Sequence, residues 1–159
     1  MSEKILVAMS GGVDSSMTAA LLREAGNRLL GVTMRLYCGE GDAAVCGSEK
    51  DALDAAAIAQ MMGFPHVILN YTSAFQKEVI DRFANGYAAG ETPNPCILCN
   101  RCMKFARLWD YAKENGCDAM ATGHYARVER AESGRYLLKR PLDLSKDQTY
   151  VLYHLTQEQ

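Results

Sequence analysis

The chain has 159 residues, 48% of them hydrophobic and 23% charged, with a formal net charge of −2. That length suits one hydrophobic core, the apolar content excludes a disordered chain, and no run approaches the roughly 18 apolar residues of a membrane span. The first residues, Met1-Ser2-Glu3-Lys4, lack the charged-then-apolar pattern of a signal peptide, so the expected setting is the cytoplasm, away from any membrane.

The small net charge conceals an asymmetry: residues 1–94 carry seven Lys/Arg against eleven Asp/Glu, whereas residues 95–140 carry nine against five. The second half therefore offers a basic surface on which a polyanion such as RNA can sit, although the same excess occurs on proteins that bind none. Six cysteines would suit disulfides in a secreted chain. Three of them, Cys96, Cys99 and Cys102, crowd into seven residues without an export signal, which points to thiol chemistry or metal binding.

In chain order, the apolar run Ile5-Leu6-Val7-Ala8-Met9 predicts a buried strand, and Ser10-Gly11-Gly12-Val13-Asp14-Ser15-Ser16 predicts the turn from it into a helix. Two adjacent glycines let backbone N–H groups approach a ligand, and the helix behind them presents its positive end, which suits a phosphate. Ser10, Ser15 and Ser16 supply hydroxyls, and Asp14 is placed to hold a Mg2+ ion. Met17, Ala20, Leu21 and Ala25 give the helix its expected apolar face, which stops at Gly26.

Leu29–Tyr37 reads as a second buried strand; Cys38 and Cys46 flank a glycine-containing loop, where two isolated cysteines are more often plain small residues than ligands. Ser48 with Asp51 resembles the cap of a helix over 49–62, His66–Tyr71 is a third strand, and Phe75, Val79, Ile80 and Phe83 make the next helix amphipathic. Strands alternating with helices predict an α/β fold, a Rossmann-type parallel sheet with helices on both faces. Ligands of such sheets bind beyond the carboxyl ends of the strands, where the glycine loop lies.

Asn94 and Pro95 fit the cap and first position of a helix whose buried face would be Leu98, Phe105, Leu108, Trp109 and Ala112. Cys96 and Cys99 are then expected in its first turn, where the helix dipole with Arg101 and Lys104 favours thiolates. The triplet Cys96, Cys99, Cys102 can ligate an iron–sulfur cluster of the [4Fe-4S] type, and it can equally house a nucleophile with disulfide-forming neighbours. Arg101, Lys104 and Arg107 form a basic stripe open to two readings, a solvated face or a phosphate contact. Ala119–Thr122 is a fourth buried strand running into Gly123-His124, and His124 suits a structural or nucleotide-site role better than that of a general base. Residues 125–140 alternate like a β-hairpin, and Lys146-Asp147-Gln148 opens a short helical pattern.

With these segments in place, the sequence resembles the tRNA-specific 2-thiouridylase family over almost its whole length. Ser10–Ser16 is similar to that family's pyrophosphate (PP) loop, Thr92–Asn100 to its Thr-Pro-Asn-Pro-x-x-x-Cys-Asn motif, Ala121–Val128 to its Ala-Thr-Gly-His-Tyr-Ala-Arg-Val segment, and Lys146–Gln148 to its Lys-Asp-Gln motif. The resemblance implies an adenine nucleotide alpha hydrolase-like fold. It also implies a two-stage reaction: ATP adenylates the C2 oxygen of a wobble uridine in tRNA, and sulfur carried on a cysteine displaces AMP. Ala8, Met9, Ser10, Gly11, Gly12, Val13, Asp14, Ser15, Met34 and Gly123 match the family's ATP-contacting positions; Asn94, Pro95 and Cys96 match those touching the target base. Cys99 matches the sulfur-carrying nucleophile, Lys146, Asp147 and Gln148 match a tRNA contact, and a sulfur-donor or relay protein is implied as a partner.

Two departures stand out. Position 96 is usually Asp in the best-known members, and Cys96 with Cys102 raises the iron–sulfur alternative, with Cys96, Cys99 and Cys102 as ligands. Family members also continue through two further domains, so residues 1–140 are expected to form the nucleotide-binding catalytic domain of a larger enzyme and 141–159 the start of a segment leading to tRNA-binding domains. The chain has no Gly-x-x-x-x-Gly-Lys-Ser/Thr loop, so AMP rather than ADP is the expected product. Two other classes share parts of the pattern: an adenylating synthetase or amidotransferase, and a non-enzymatic module that binds an iron–sulfur cluster or zinc.

Overall fold

The computed structural model describes residues 2–37 and 48–159; Cys38, Cys46 and the loop between them lie outside the described residues. β1 (Lys4–Ala8), α1 (Val13–Glu24), β2 (Arg28–Arg35), α2 (Glu49–Met62) and β3 (His66–Asn70) alternate as the sequence predicts. A helical stretch follows: α3 (Thr72–Phe75), a widened π-type turn over Gln76–Ile80, and α4 (Asp81–Ala88). A second such stretch runs as α5 (Pro95–Cys99), a wide segment over Asn100–Leu108, and α6 (Trp109–Glu114) into β4 (Ala119–Thr122). A two-stranded antiparallel hairpin, β5 (Arg127–Arg130) and β6 (Tyr136–Lys139), precedes two short 3-10 turns, Leu144–Lys146 and Thr149–Val151.

Four strands form a parallel sheet in the order β3-β2-β1-β4. Leu6 pairs with Leu30 on one side and Met120 on the other. The chain steps outward from β1 to β3 and then crosses back to lay β4 beside β1, so its direction of travel reverses between β1 and β4. At such a reversal the loops after the two strands diverge and leave a crevice at their carboxyl ends.

Alternation along the strands sends successive side chains to opposite faces. On one face Leu6, Leu30, Val32 and Met34 pack with Val79, Met103, Leu108 and Ala112 from the two long helical stretches. On the other, Ile5, Val7, Met9 and Leu29 pack with Ala19, Ala55 and Ala59 from α1 and α2. Helices therefore cover both faces, as the alternating pattern predicts. Among the described residues no helix is long and apolar enough to cross a membrane.

Local signals explain most element ends. Ser48 Oγ accepts the Asp51 N–H at 3.2 Å and Asp51 Oδ2 accepts the Ser48 N–H at 3.1 Å, a reciprocal cap at the start of α2. Gly63, with φ of 72°, ends the same helix in the left-handed region. Asn94 Oδ1 accepts the Cys96 N–H at 2.9 Å with Pro95 in the first position of α5.

Three expectations need correction. The inward face of α1 is Ser15 and Ala19, with Leu22 packed beside them, whereas Met17 and Leu21 are each 56% exposed. Small residues are required there because α1 begins against the end of β4, where backbones meet too closely for long side chains. Second, β4 is half-buried throughout rather than buried, since it lies at the edge of the sheet. Third, the wide segment over Asn100–Leu108 turns Met103, a residue that a regular helical period leaves off the buried face, fully into the core that also holds Leu108.

Leu108 is completely buried among the sheet-facing core residues. Leu108→Ala should lower unfolding free energy by about 2–5 kcal/mol, read from the shift of the urea midpoint at unchanged slope.

Candidate functional site

The loop after β1 starts from a fixed point. The Met9 N–H donates to the Val32 carbonyl at 2.8 Å, and its carbonyl accepts the buried Thr33 hydroxyl at 2.9 Å. Met9 itself is buried, so only its backbone faces the loop; Met34 likewise lies within the core on the opposite face of the sheet. Gly11 then takes φ of 74°, and a Cβ there would lie 2.5 Å from the Asp51 carbonyl oxygen, so only glycine passes between the loop and α2. Gly12 caps α1 without a side-chain bond, leaving the first-turn N–H groups without a side-chain acceptor.

The serines divide their roles. Ser15 is buried, and its hydroxyl accepts the Ser10 N–H at 3.1 Å and donates to the Gly12 carbonyl at 3.2 Å. Ser16 donates to the same carbonyl at 2.7 Å. Both hydroxyls therefore brace the loop, while Ser10, Gly12, Val13 and Asp14 lie exposed at the mouth of the helix. This bare backbone at a helix start fits an anionic phosphate, and Asp14 fits the single carboxylate that a magnesium ion needs when phosphates supply the other ligands.

Gly123, immediately after β4, makes the closest approach. A Cβ on it would lie 2.8 Å from the Ser15 N and 2.9 Å from the Asp14 carbonyl carbon. The next residue, His124, has Nδ1 2.7 Å from the Thr122 hydroxyl and its ring 6.0 Å from that of Phe105 in the wide segment. Burial, reinforced by the positive Lys104, pushes His124 down to about 4, so its imidazole is neutral at pH 7. Tyr125 then donates its hydroxyl to Asp14 Oδ1 at 2.9 Å, while its N–H donates to Gln148 Oε1 at 2.8 Å. Three consecutive residues thus touch the glycine loop, the cysteine-bearing stretch and the Lys146–Gln148 segment. Tyr125 carried no signal in the sequence beyond lying within a motif.

The cysteines do not converge. Cys96 is exposed, Cys99 packs against the core beside Leu98, and Cys102 is half-buried near Arg107. Each three-residue step falls about 60° short of a full turn in an α-helix and further short where the turn widens, so the sulfurs fan around the axis. Among the described residues no three His, Cys, Asp or Glu side chains come together to hold a metal ion. The candidate iron–sulfur ligands Cys96, Cys99 and Cys102 are thus not brought together on one centre in this structure. Cys99 also lies beyond the first turn, at the end of α5 rather than its start. Cys117 is a core residue whose thiol burial pushes up.

The basic stripe is also broken up. Arg107 is paired with Glu78, whereas Arg101 stays exposed and Lys104 faces His124. Asn100, next to Cys99, is buried; its side chain donates to the Cys96 carbonyl at 2.9 Å and ties down the first turn, with Asn94 and Pro95 at its outer end. In the Lys146–Gln148 segment, Asp147 accepts the N–H and hydroxyl of Thr149 at 3.0 and 2.7 Å and pairs with Arg140 Nε at 2.6 Å. Those bonds hold its carboxyl down to about 2. Gln148 is engaged with Tyr125, and Lys146 is exposed.

Residues 3–159 match the family model described as the tRNA methyl transferase HUP domain. The chain belongs to the tRNA methyl transferase HUP-domain family. Curated relatives named tRNA-specific 2-thiouridylase MnmA include one from Clostridioides difficile (strain 630), 47% identical over 163 residues covering 100% of this chain and 45% of the relative. Another, from Wolbachia pipientis subsp. Culex pipiens (strain wPip), is 49% identical over 158 residues covering 98% and 43%. The HUP-domain chain thus spans less than half the length of these relatives. Among solved structures, glutamine-dependent NAD+ synthetase from Acinetobacter baumannii in complex with ADP superposes with a TM-score of 0.55 at 24% identity, covering 77% of this chain and 22% of that one. A predicted subunit of tRNA methyltransferase from Methanocaldococcus jannaschii DSM gives 0.53 at 19%, covering 83% and 60%. At these identities the likeness is one of fold.

Two outcomes follow from this geometry. Gly123→Ala should force α1 away from β4, costing about 1–3 kcal/mol of stability, measured by denaturation. His124 is protonated more readily in the unfolded chain, so stability should be full above about pH 6.5 and fall as pH drops towards 4, by on the order of 3 kcal/mol in all. Denaturation midpoints at pH 7 and 4.5 check this, and His124→Gln should remove that share of the slope.

Proposed function

We propose that this HUP-domain chain is the nucleotide-binding and sulfur-transferring part of an ATP-dependent tRNA-uridine 2-sulfurtransferase. The observation that carries the reading is the junction at 123–125, which brings the glycine loop, the cysteine-bearing helix and the Lys146–Gln148 segment to one end of the sheet. A loop alone would serve any adenylating enzyme; a loop joined to a thiol helix and to a segment with an exposed lysine suits sulfur delivery to an activated polyanion.

In this reading the uracil C2 oxygen attacks the α-phosphorus of ATP, the bond to the β-phosphate bridging oxygen breaks, and pyrophosphate leaves. The α1 N-terminus and the bare backbone of Gly12 and Val13 stabilise the charge that develops on the phosphates. Magnesium, when bound, neutralises part of the remaining phosphate charge, and Asp14 is the residue to hold it. The terminal sulfur of a Cys99 persulfide, loaded by a sulfur-donor protein, then attacks C2, and AMP departs with the C2 oxygen. A second thiol attacks the Cys99 sulfur, forming a disulfide and leaving the terminal sulfur on C2. The step needs one carrier cysteine and one resolving thiol rather than three sulfurs on a single centre, so the fan of Cys96, Cys99 and Cys102 is no obstacle.

The family description names a methyl transferase, whereas the relatives are named 2-thiouridylases. A methyl group arrives already activated on its carrier and needs no ATP loop, so the residues present favour sulfur. Lys146 and the exposed Arg101 are the cations proposed to meet tRNA, with Asn94, Pro95 and Cys96 at the target base. A cytoplasmic setting accords with that substrate.

The test uses the full-length protein with ATP, Mg2+, tRNA and a persulfide donor. AMP and pyrophosphate should form only with tRNA, and Cys99→Ala should lower 2-thiouridine and AMP formation more than about 10³-fold while a single turnover of tRNA-dependent pyrophosphate release persists. Release of ADP, or AMP release driven by a small acceptor without tRNA, overturns the reading.

A further inference from the structure

One contact is unexplained by the roles assigned so far. The Tyr125 hydroxyl donates to Asp14 Oδ1 at 2.9 Å, a bond between residues 111 apart in sequence, on a surface where both are exposed. Exposed groups bond to water at little cost, so a single-geometry contact there requires that both partners be held from behind. Asp14 is held by α1, whose first turn abuts Gly123. Tyr125 is held by Gln148 through two bonds: its N–H donates to Oε1 at 2.8 Å, and its carbonyl accepts the Gln148 N–H at 3.2 Å. Gln148 in turn belongs to a segment anchored by the Asp147 pair with Arg140 and the bonds from Thr149.

The bond engages one oxygen, Oδ1, of the Asp14 carboxylate. A carboxylate fixed in this way loses less rotamer freedom when a cation arrives.

We propose that Tyr125 is a positioning residue that sets the Asp14 carboxylate to receive a magnesium nucleotide, and that Gln148 sets Tyr125, so that the Lys146–Gln148 segment acts on metal-dependent ATP binding at the glycine loop. This rests on the glycine loop being the nucleotide site. It separates the members of that segment: Lys146 faces outward, whereas Gln148 works inward on the loop.

Calorimetric or dialysis measurement of ATP binding by the full-length protein, in saturating Mg2+ and again in EDTA, tests it. Tyr125→Phe keeps the ring and removes only the hydroxyl. It should weaken binding about threefold to tenfold in Mg2+ and leave binding in EDTA within about twofold of wild type. Gln148→Ala should show the same selective loss. Equal weakening of Tyr125→Phe in both conditions, the signature of general loop loosening, overturns the proposal, and so does an unchanged Tyr125→Phe. A Gln148→Ala variant unaffected in Mg2+ overturns the link to the segment. Wild-type protein that binds no ATP in either condition removes the nucleotide-site reading and this inference with it.

Discussion

Everything at the carboxyl end of the sheet depends on how closely the backbone after β4 meets the start of α1. A hydrogen atom is the largest group Gly123 can carry there, since a Cβ would come within 2.8 Å of the Ser15 nitrogen. That contact fixes where α1 begins, and the position of α1 fixes the loop over its N-terminus. The same demand reaches along the helix: Ser15 and Ala19 face the sheet because nothing longer fits, and Met17 and Leu21 are turned outward. A constraint of packing thus sets the geometry of the proposed phosphate site without any residue being committed to the phosphate itself.

The residues after Gly123 convert that contact into a junction. His124 lies against Phe105 and is kept neutral by burial and by Lys104. Phe105 also packs with Val151 and Leu152, next to Ile97 of the cysteine-bearing helix. Tyr125 reaches Asp14 in one direction and Gln148 in the other. Segments more than a hundred residues apart therefore share one short stretch of backbone, joined by packed rings and a few hydrogen bonds.

The wide turns in the two helical stretches have a similar consequence. Over Asn100–Leu108 the widened backbone buries Met103 and spreads Cys96, Cys99 and Cys102 around the axis. It also frees Arg107 from the basic row and brings it to Glu78, beside the other wide turn at Gln76–Ile80. A three-residue spacing that looks like a ligand set or a charged stripe on a regular helix becomes neither on this one.

Much was legible from the chain alone, because it rested on local physics. The alternation of apolar runs and helical periods specified the parallel sheet and its two covered faces. Ser48 with Asp51, Asn94 with Pro95, and the paired glycines at 11 and 12 carried their caps and turn in their own side chains. Tertiary structure decided what local spacing cannot express. It decided which face of α1 is buried, because that depends on the distance to β4. It decided that the cysteines diverge, because helix width is a property of the packed stretch. It decided that Tyr125 and Gln148 belong to the loop's surroundings, because their bonds cross 111 and 23 residues and exist only once the sheet has folded.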